Sequence, residues 1–133
     1  MARNVDKKES FAVKNTTKGK APVLPFERIK NAVLGKSYDL SLVFVGDAVS
    51  KKLNYIYRQK NKPTNILSFP LSKKEGEIFI NLKLARAEAN KIGKKYANYV
   101  GFLFIHGLLH LKGYDHGKTM EGLEEKYLKR FTL

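Results

Sequence analysis

Hydrophobic residues change their period several times along this chain, and each change marks an element. From Tyr38 to Val45 apolar and polar positions alternate among β-branched and aromatic residues, which predicts a strand ended by Gly46. A shorter strand is expected over Ser10 to Lys14, followed by an irregular stretch, Asn15 to Pro25, rich in Thr, Gly and Pro. Phe26, Ile29, Ala32, Val33 and Leu34 recur at helical spacing up to Gly35, a natural stop. Asp47 is placed to N-cap a helix that runs through Val49, Leu53, Ile56 and Tyr57 and closes near Arg58. Thr64 to Phe69 and Glu77 to Asn81 read as two further strands, parted by a polar turn, Ser72 to Gly76, and expected to pair. Leu82, Ala85, Ala89 and Ile92 mark a helix ending near Gly93. Tyr96 to Leu111 is apolar almost all round, the pattern of a buried helix. A last amphipathic helix sets Met120, Leu123, Tyr127 and Phe131 on one face. These elements predict an α+β fold in a single domain over residues 1–133, with helices packed on a small mixed β-sheet.

Length and charge sharpen that picture. At 133 residues the chain can bury roughly two thirds of its unfolded surface. Met1 to Ser10 is polar and lacks the apolar core of a signal peptide, and the apolar run Tyr99 to Ile105 is far shorter than the ~20 residues of a membrane span. A soluble protein of the cytoplasm, with no membrane partner, is the expectation. Cysteine is absent, so disulfides and thiolate ligands are excluded. The net charge of +14, from 26 basic and 12 acidic side chains, favours a polyanionic partner, with RNA, DNA and anionic lipid all open on charge alone.

The chemistry concentrates in one window. All three histidines lie within His106-Gly107-Leu108-Leu109-His110-Leu111-Lys112-Gly113-Tyr114-Asp115-His116. On a helix His106 and His110 share a face with about 5–6 Å between their Cβ atoms, close enough for two imidazoles to hold one ion. Gly113 can adopt φ > 0, so the chain can leave the helix and bring His116 to the same point. Three nitrogen ligands leave one position of a tetrahedral Zn²⁺ open, as in catalytic sites. One zinc ion per chain, held by His106, His110 and His116, is therefore expected, and hydrolysis is its natural chemistry.

His-x-x-x-His-x-x-Gly-x-x-His also matches the metal-binding half of the metzincin protease pattern. Those enzymes carry their general base directly after the first histidine, where Gly107 stands here. That glycine admits two explanations, close approach of a substrate or helix packing. Asp115 can orient a ligand by a hydrogen bond or sit as an ordinary turn residue.

The same window, together with Leu53-Asn54, Tyr57-Arg58 and Lys62-Pro63-Thr64-Asn65-Ile66-Leu67-Ser68-Phe69-Pro70, resembles the YbeY-type rRNA-maturation endoribonucleases from about Val43 onward. The family's His-Gly-x-x-His-Leu-x-Gly-Tyr-Asp-His pattern is matched throughout. The resemblance implies a zincin-like fold, zinc ligation by His106, His110 and His116, and Arg58 as a basic residue of the active site, with His106 and Arg58 the residues on which activity depends. It also implies single-strand-specific RNA cleavage, maturation of the small-subunit ribosomal RNA near its 3′ end, and a part in ribosome quality control. Two positions depart from the pattern: Asn65 stands where many members have aspartate, and Glu77 follows Gly76 where aspartate is usual. Arginine suits phosphate because its planar fork donates two parallel hydrogen bonds, though an arginine closing a helix also complements the dipole. Phe69 and Tyr114 are read as core residues in preference to base-stacking ones. Beside the endoribonuclease stand two other readings, a non-catalytic RNA-binding assembly factor with zinc as a structural rivet and, with least support, a metalloprotease.

Overall fold

Alternation along the strands builds one apolar sheet face, and a helix with almost no polar side lies across it. The computed structural model describes residues 10–133. Its elements are β1 (Phe11–Asn15), α1 (Phe26–Leu34), β2 (Asp39–Val45), α2 (Asp47–Arg58), β3 (Ile66–Ser72), β4 (Glu75–Asn81), α3 (Leu82–Ile92), α4 (Tyr96–Lys112) and α5 (Lys118–Arg130). The sheet order is β1-β2-β4-β3, with β1, β2 and β4 parallel and β3 antiparallel to β4. This is the mixed sheet and α+β arrangement that the periodicities predict.

Leu40, Leu42 and Phe44 of β2 meet Ile78 and Ile80 of β4 on the face that α4 covers, all of them buried. From α4 come Val100, Leu103, Phe104, Ile105, Leu108 and Leu109, also buried, each worth about 1.5–3 kcal/mol when fully removed from water. Packing against the sheet is close at Gly107. A Cβ there would stand 2.8 Å from Cδ1 of Ile66, 2.9 Å from Oγ of Ser68 and 3.1 Å from Cδ1 of Ile78. The glycine thus lets the helix backbone press on β3 and β4, which selects the packing explanation over substrate approach.

Several expectations need correction. The turn between β3 and β4 is only Lys73-Lys74, because both strands run on into the stretch read as loop. Pro70 fits inside β3 because this is an edge strand, and the register slips between Pro70 and Ser72. Asp47 does not cap α2. Gly46 occupies that position in an extended conformation, and the Asp47 carboxylate instead accepts a hydrogen bond from Nδ2 of Asn81 at 2.9 Å, tying α2 to the end of β4.

The fully buried residues of α2 are polar ones. Val49, Ile56 and Tyr57 are about half exposed, whereas Ser50 and Asn54 are buried. Ser50 Oγ donates to the Thr64 carbonyl at 2.6 Å and accepts from the Thr64 N–H at 2.8 Å, and Asn54 Nδ2 donates to the Lys62 carbonyl at 2.9 Å. The helix pins the backbone of a loop that would otherwise bury unpaired polar groups. Lys30 is likewise fully buried, its ammonium donating to Ser10 Oγ, Asn31 Oδ1 and the Lys36 carbonyl. Desolvation lowers its pKa, against the attraction of Glu27 and Asp39. The segment Met1 to Ser10, read above as polar, lies outside the described residues except for Ser10. Among the described residues no helix is long and apolar enough to cross a membrane.

Gly107→Ala tests the packing at α4. Alanine gains about 1 kcal/mol in helix propensity, but overpacking against β3 and β4 costs about 1–3 kcal/mol. Chemical denaturation is expected to show net destabilisation; a variant more stable than wild type would mean that the packing there is loose.

Candidate metal centre and active site

α4 presents His106 and His110 along one partly exposed edge, one turn apart. Gly113 then takes φ 109°, its N–H bonded to the His110 carbonyl at 3.0 Å and the Tyr114 N–H to that of Leu109 at 3.0 Å. This left-handed stop turns the chain back and delivers His116 opposite the pair. The ring centroids lie 4.6 Å apart for His106 and His110, 4.8 Å for His110 and His116, and 5.1 Å for His106 and His116. One ligating atom from each falls within 4.8 Å of the others, so the three sequence-predicted ligands do converge and could hold one metal ion.

Hydrogen bonds fix which nitrogens face the centre. Nδ1 of His106 lies 2.6 Å from Oε2 of Glu124 on α5, and an ionised carboxylate can only accept, so Nδ1 carries the proton. Nδ1 of His110 donates to the Tyr114 carbonyl at 3.0 Å. Both Nε2 atoms are then bare lone pairs, and they point at each other across 3.1 Å. Two facing lone pairs repel unless a cation or proton lies between them. Tetrahedral zinc with nitrogens at about 2.0–2.1 Å would set neighbouring ligands roughly 3.3 Å apart, so the donor set fits such an ion. Burial, reinforced by the neighbouring imidazoles, lowers the His110 pKa despite the Tyr114 carbonyl and Asp115, which keeps that ring neutral and ready to ligate.

The centre opens into a cleft of about 410 Å³, also lined by Arg58, Thr64, Asn65, Ile66 and Ser68. Arg58 is the last residue of α2, after which Gln59 takes a left-handed φ of 57°. The loop that Ser50 and Asn54 hold carries Thr64 and Asn65 into the same cleft. Polar groups of the protein therefore surround an open side of the metal centre.

Glu124 is the partner that sequence reasoning missed; 18 residues of chain and a change of helix separate it from His106, and no local spacing signals it. It takes the orienting role that Asp115 was considered for. Behind Asn65 stands a second unforeseen group. Nδ2 of Asn65 and the hydroxyl of Tyr99 both donate to Oε1 of Glu88, at 2.9 and 2.8 Å. Burial and this carboxylate push the Tyr99 phenol up to about 12. Glu77 is not in the cleft; it lies with Phe69 and Phe79 against Leu53 and Tyr57 of α2. Tyr114 packs on the core, as read from the sequence, whereas Phe69 lies half-buried outside the core cluster, packed on Tyr57 and Phe79.

Comparison with known proteins agrees with this geometry. The family model described as Endoribonuclease YbeY matches residues 2–132. Endoribonuclease YbeY of Ehrlichia canis is 39% identical over 104 residues, which cover 71% of this chain and 68% of that protein. Its counterpart in Helicobacter pylori strain Shi470 is 35% identical over 128 residues, 91% of each chain. The solution structure of a Thermotoga maritima protein shares the fold, with a TM-score of 0.68 at 24% identity over 91% of this chain and 88% of that one. A family match running nearly end to end, on a fold that brings the three histidines of its motif together, shows that this chain belongs to the YbeY endoribonuclease family.

Proposed function

We propose that this protein is a zinc-dependent endoribonuclease that cuts single-stranded RNA, acting in the cytoplasm on the 3′ end of small-subunit ribosomal RNA and in ribosome quality control. The observation that carries the reading is the shared cleft: three converging histidines and Arg58 line one open cavity in a chain of this family. The small-subunit assignment rests on the family resemblance, and the net charge of +14 supports a polyanionic substrate.

His106, His110 and His116 would hold the ion, which when bound supplies Lewis-acid polarisation of a phosphoryl oxygen and an activated water. The chain's own residues do the rest. Arg58 places a permanent cation on the cleft wall, where its fork can grip the non-bridging oxygens of a phosphodiester as charge builds on them. Glu124 holds His106 in the tautomer that aims Nε2 at the centre. Thr64 and Ser68 offer hydroxyls to the cleft, and the Asn65 amide, anchored by Glu88, fixes the wall beside them. The protease reading finds no support, since position 107 carries no carboxylate and is pressed against the sheet.

Two outcomes follow. Arg58→Ala is expected to lower kcat/KM on unstructured RNA about 10²–10³-fold with circular dichroism unchanged, and His106→Ala to abolish cleavage; full activity in either variant, or in excess chelator, would refute the reading. Glu124→Gln keeps size but loses charge, and should weaken zinc about 10–100-fold in competition with a chromophoric chelator. Unchanged affinity there would remove Glu124 from the metal centre.

A further inference from the structure

A second cleft, of about 380 Å³, opens where β2 and β4 end. Its floor is apolar, formed by Val45, Leu82 and the ring of Tyr96, and its rim carries Lys20, Lys83 and Arg86. None of these residues belongs to the metal centre. The Arg86 guanidinium lies over the Tyr96 ring, its carbon 3.9 Å from the ring centroid, and the Tyr96 hydroxyl donates to the Lys20 carbonyl at 3.2 Å. A flat cation on an aromatic ring, above an apolar floor and between two lysines, is a platform for a base with its phosphate, since guanidinium planes and aromatic rings both stack unpaired bases.

Placement relates this cleft to the first. Tyr96 opens α4 and His106 lies ten residues along the same helix, a separation of about 15 Å at 1.5 Å per residue. At the end of β4, next to Leu82 of the second cleft, the Asn81 N–H donates to the carbonyl of Asn65, a residue that lines the metal cleft. A strand of about four or five stacked nucleotides, at about 3.4 Å each, covers that distance. Two carboxylates lie near the path and both are engaged: Glu88 accepts from Asn65 and Tyr99, and Asp47 accepts from Asn81 with Lys83 at 3.5 Å.

We infer that the cleft between Tyr96, Arg86, Lys83 and Lys20 is a second subsite for single-stranded RNA, holding one nucleotide a few positions from the bond that is cut. The inference rests on the endoribonuclease reading and extends it: RNAs long enough to fill both clefts are preferred over those that fill only the metal cleft.

The test uses zinc-loaded full-length protein with unstructured RNAs of about three and about twelve nucleotides, lengths that fall short of and exceed the span between the clefts. Arg86→Glu is expected to raise KM for the longer RNA about tenfold, the worth of one stacked base, and to change that for the shorter less than about twofold. Arg86→Lys keeps the charge without the flat surface and should fall between. Equal changes on both lengths, or none, would overturn the subsite. A binding arm separates this result from the fate of the catalytic reading. In the His106→Ala background, fluorescence anisotropy with the longer RNA should show the same weakening from Arg86→Glu and a salt dependence shallower by about 0.7 for each phosphate that is no longer neutralised. If no RNA is cut yet binding depends on Arg86, the catalytic reading fails and the subsite stands; if cutting proceeds and neither arm responds to Arg86, the subsite fails alone.

Discussion

The close seat of α4 on the sheet is the constraint from which the site follows. This helix supplies both the centre of the core and two of the three imidazoles, so it must be buried along most of its circumference and still leave one edge open. Gly107 makes that possible. With no side chain between helix backbone and β3, the neighbouring His106 and His110 stand at the sheet's margin, beside Ile66 and Ser68. A larger residue at 107 would lift the helix and with it the pair of rings, so metal geometry and core packing are set by the same close approach.

Convergence alone does not make a ligand set; orientation does. A free imidazole on a helix rotates and can protonate either nitrogen. Here the Glu124 carboxylate and the Tyr114 carbonyl each claim an Nδ1–H, which leaves two Nε2 lone pairs opposed at 3.1 Å. That opposition is unfavourable by itself and becomes favourable with a cation between the rings. The burial that lowers the His110 pKa acts in the same sense, because it disfavours the proton that would compete with a metal.

Features written in local spacing were legible in the sequence. Alternation placed the strands, helical periodicity placed α1, α3, α4 and α5, and the i, i+4 histidines with a left-handed glycine foretold the metal centre. What was hidden depends on tertiary pairing. Glu124 reaches His106 from another helix, and Glu88 reaches Asn65 across 23 positions of chain. Lys30 reads as a surface lysine, yet three oxygen acceptors surround its ammonium in the interior. At α2 the period places the helix but not its buried side, because Val49, Ile56 and Tyr57 stay about half exposed while Ser50 and Asn54 turn inward. Hydropathy has no means of valuing a buried polar residue whose partners are backbone groups of a distant loop.

That inverted helix explains how a flexible basic side chain comes to face a fixed metal centre. Arg58 ends α2, and the loop that follows must bring Thr64 and Asn65 back to the same cleft. An apolar inner face would hold the helix but leave the loop's carbonyls and N–H groups to find water. By facing Ser50 and Asn54 inward, the helix binds its own downstream loop through three hydrogen bonds and makes Arg58 the hinge of a closed unit. The outward apolar residues are the consequence, and one of them, Tyr57, is partly covered by packing on Phe69 at 4.7 Å between ring centroids. The cleft's two walls are thus braced by different means, α4 by apolar packing on the sheet and the α2 loop by polar satisfaction. Substitutions on the first wall should therefore register in global stability and metal affinity together, and those on the second mainly in the position of Arg58 relative to the histidines.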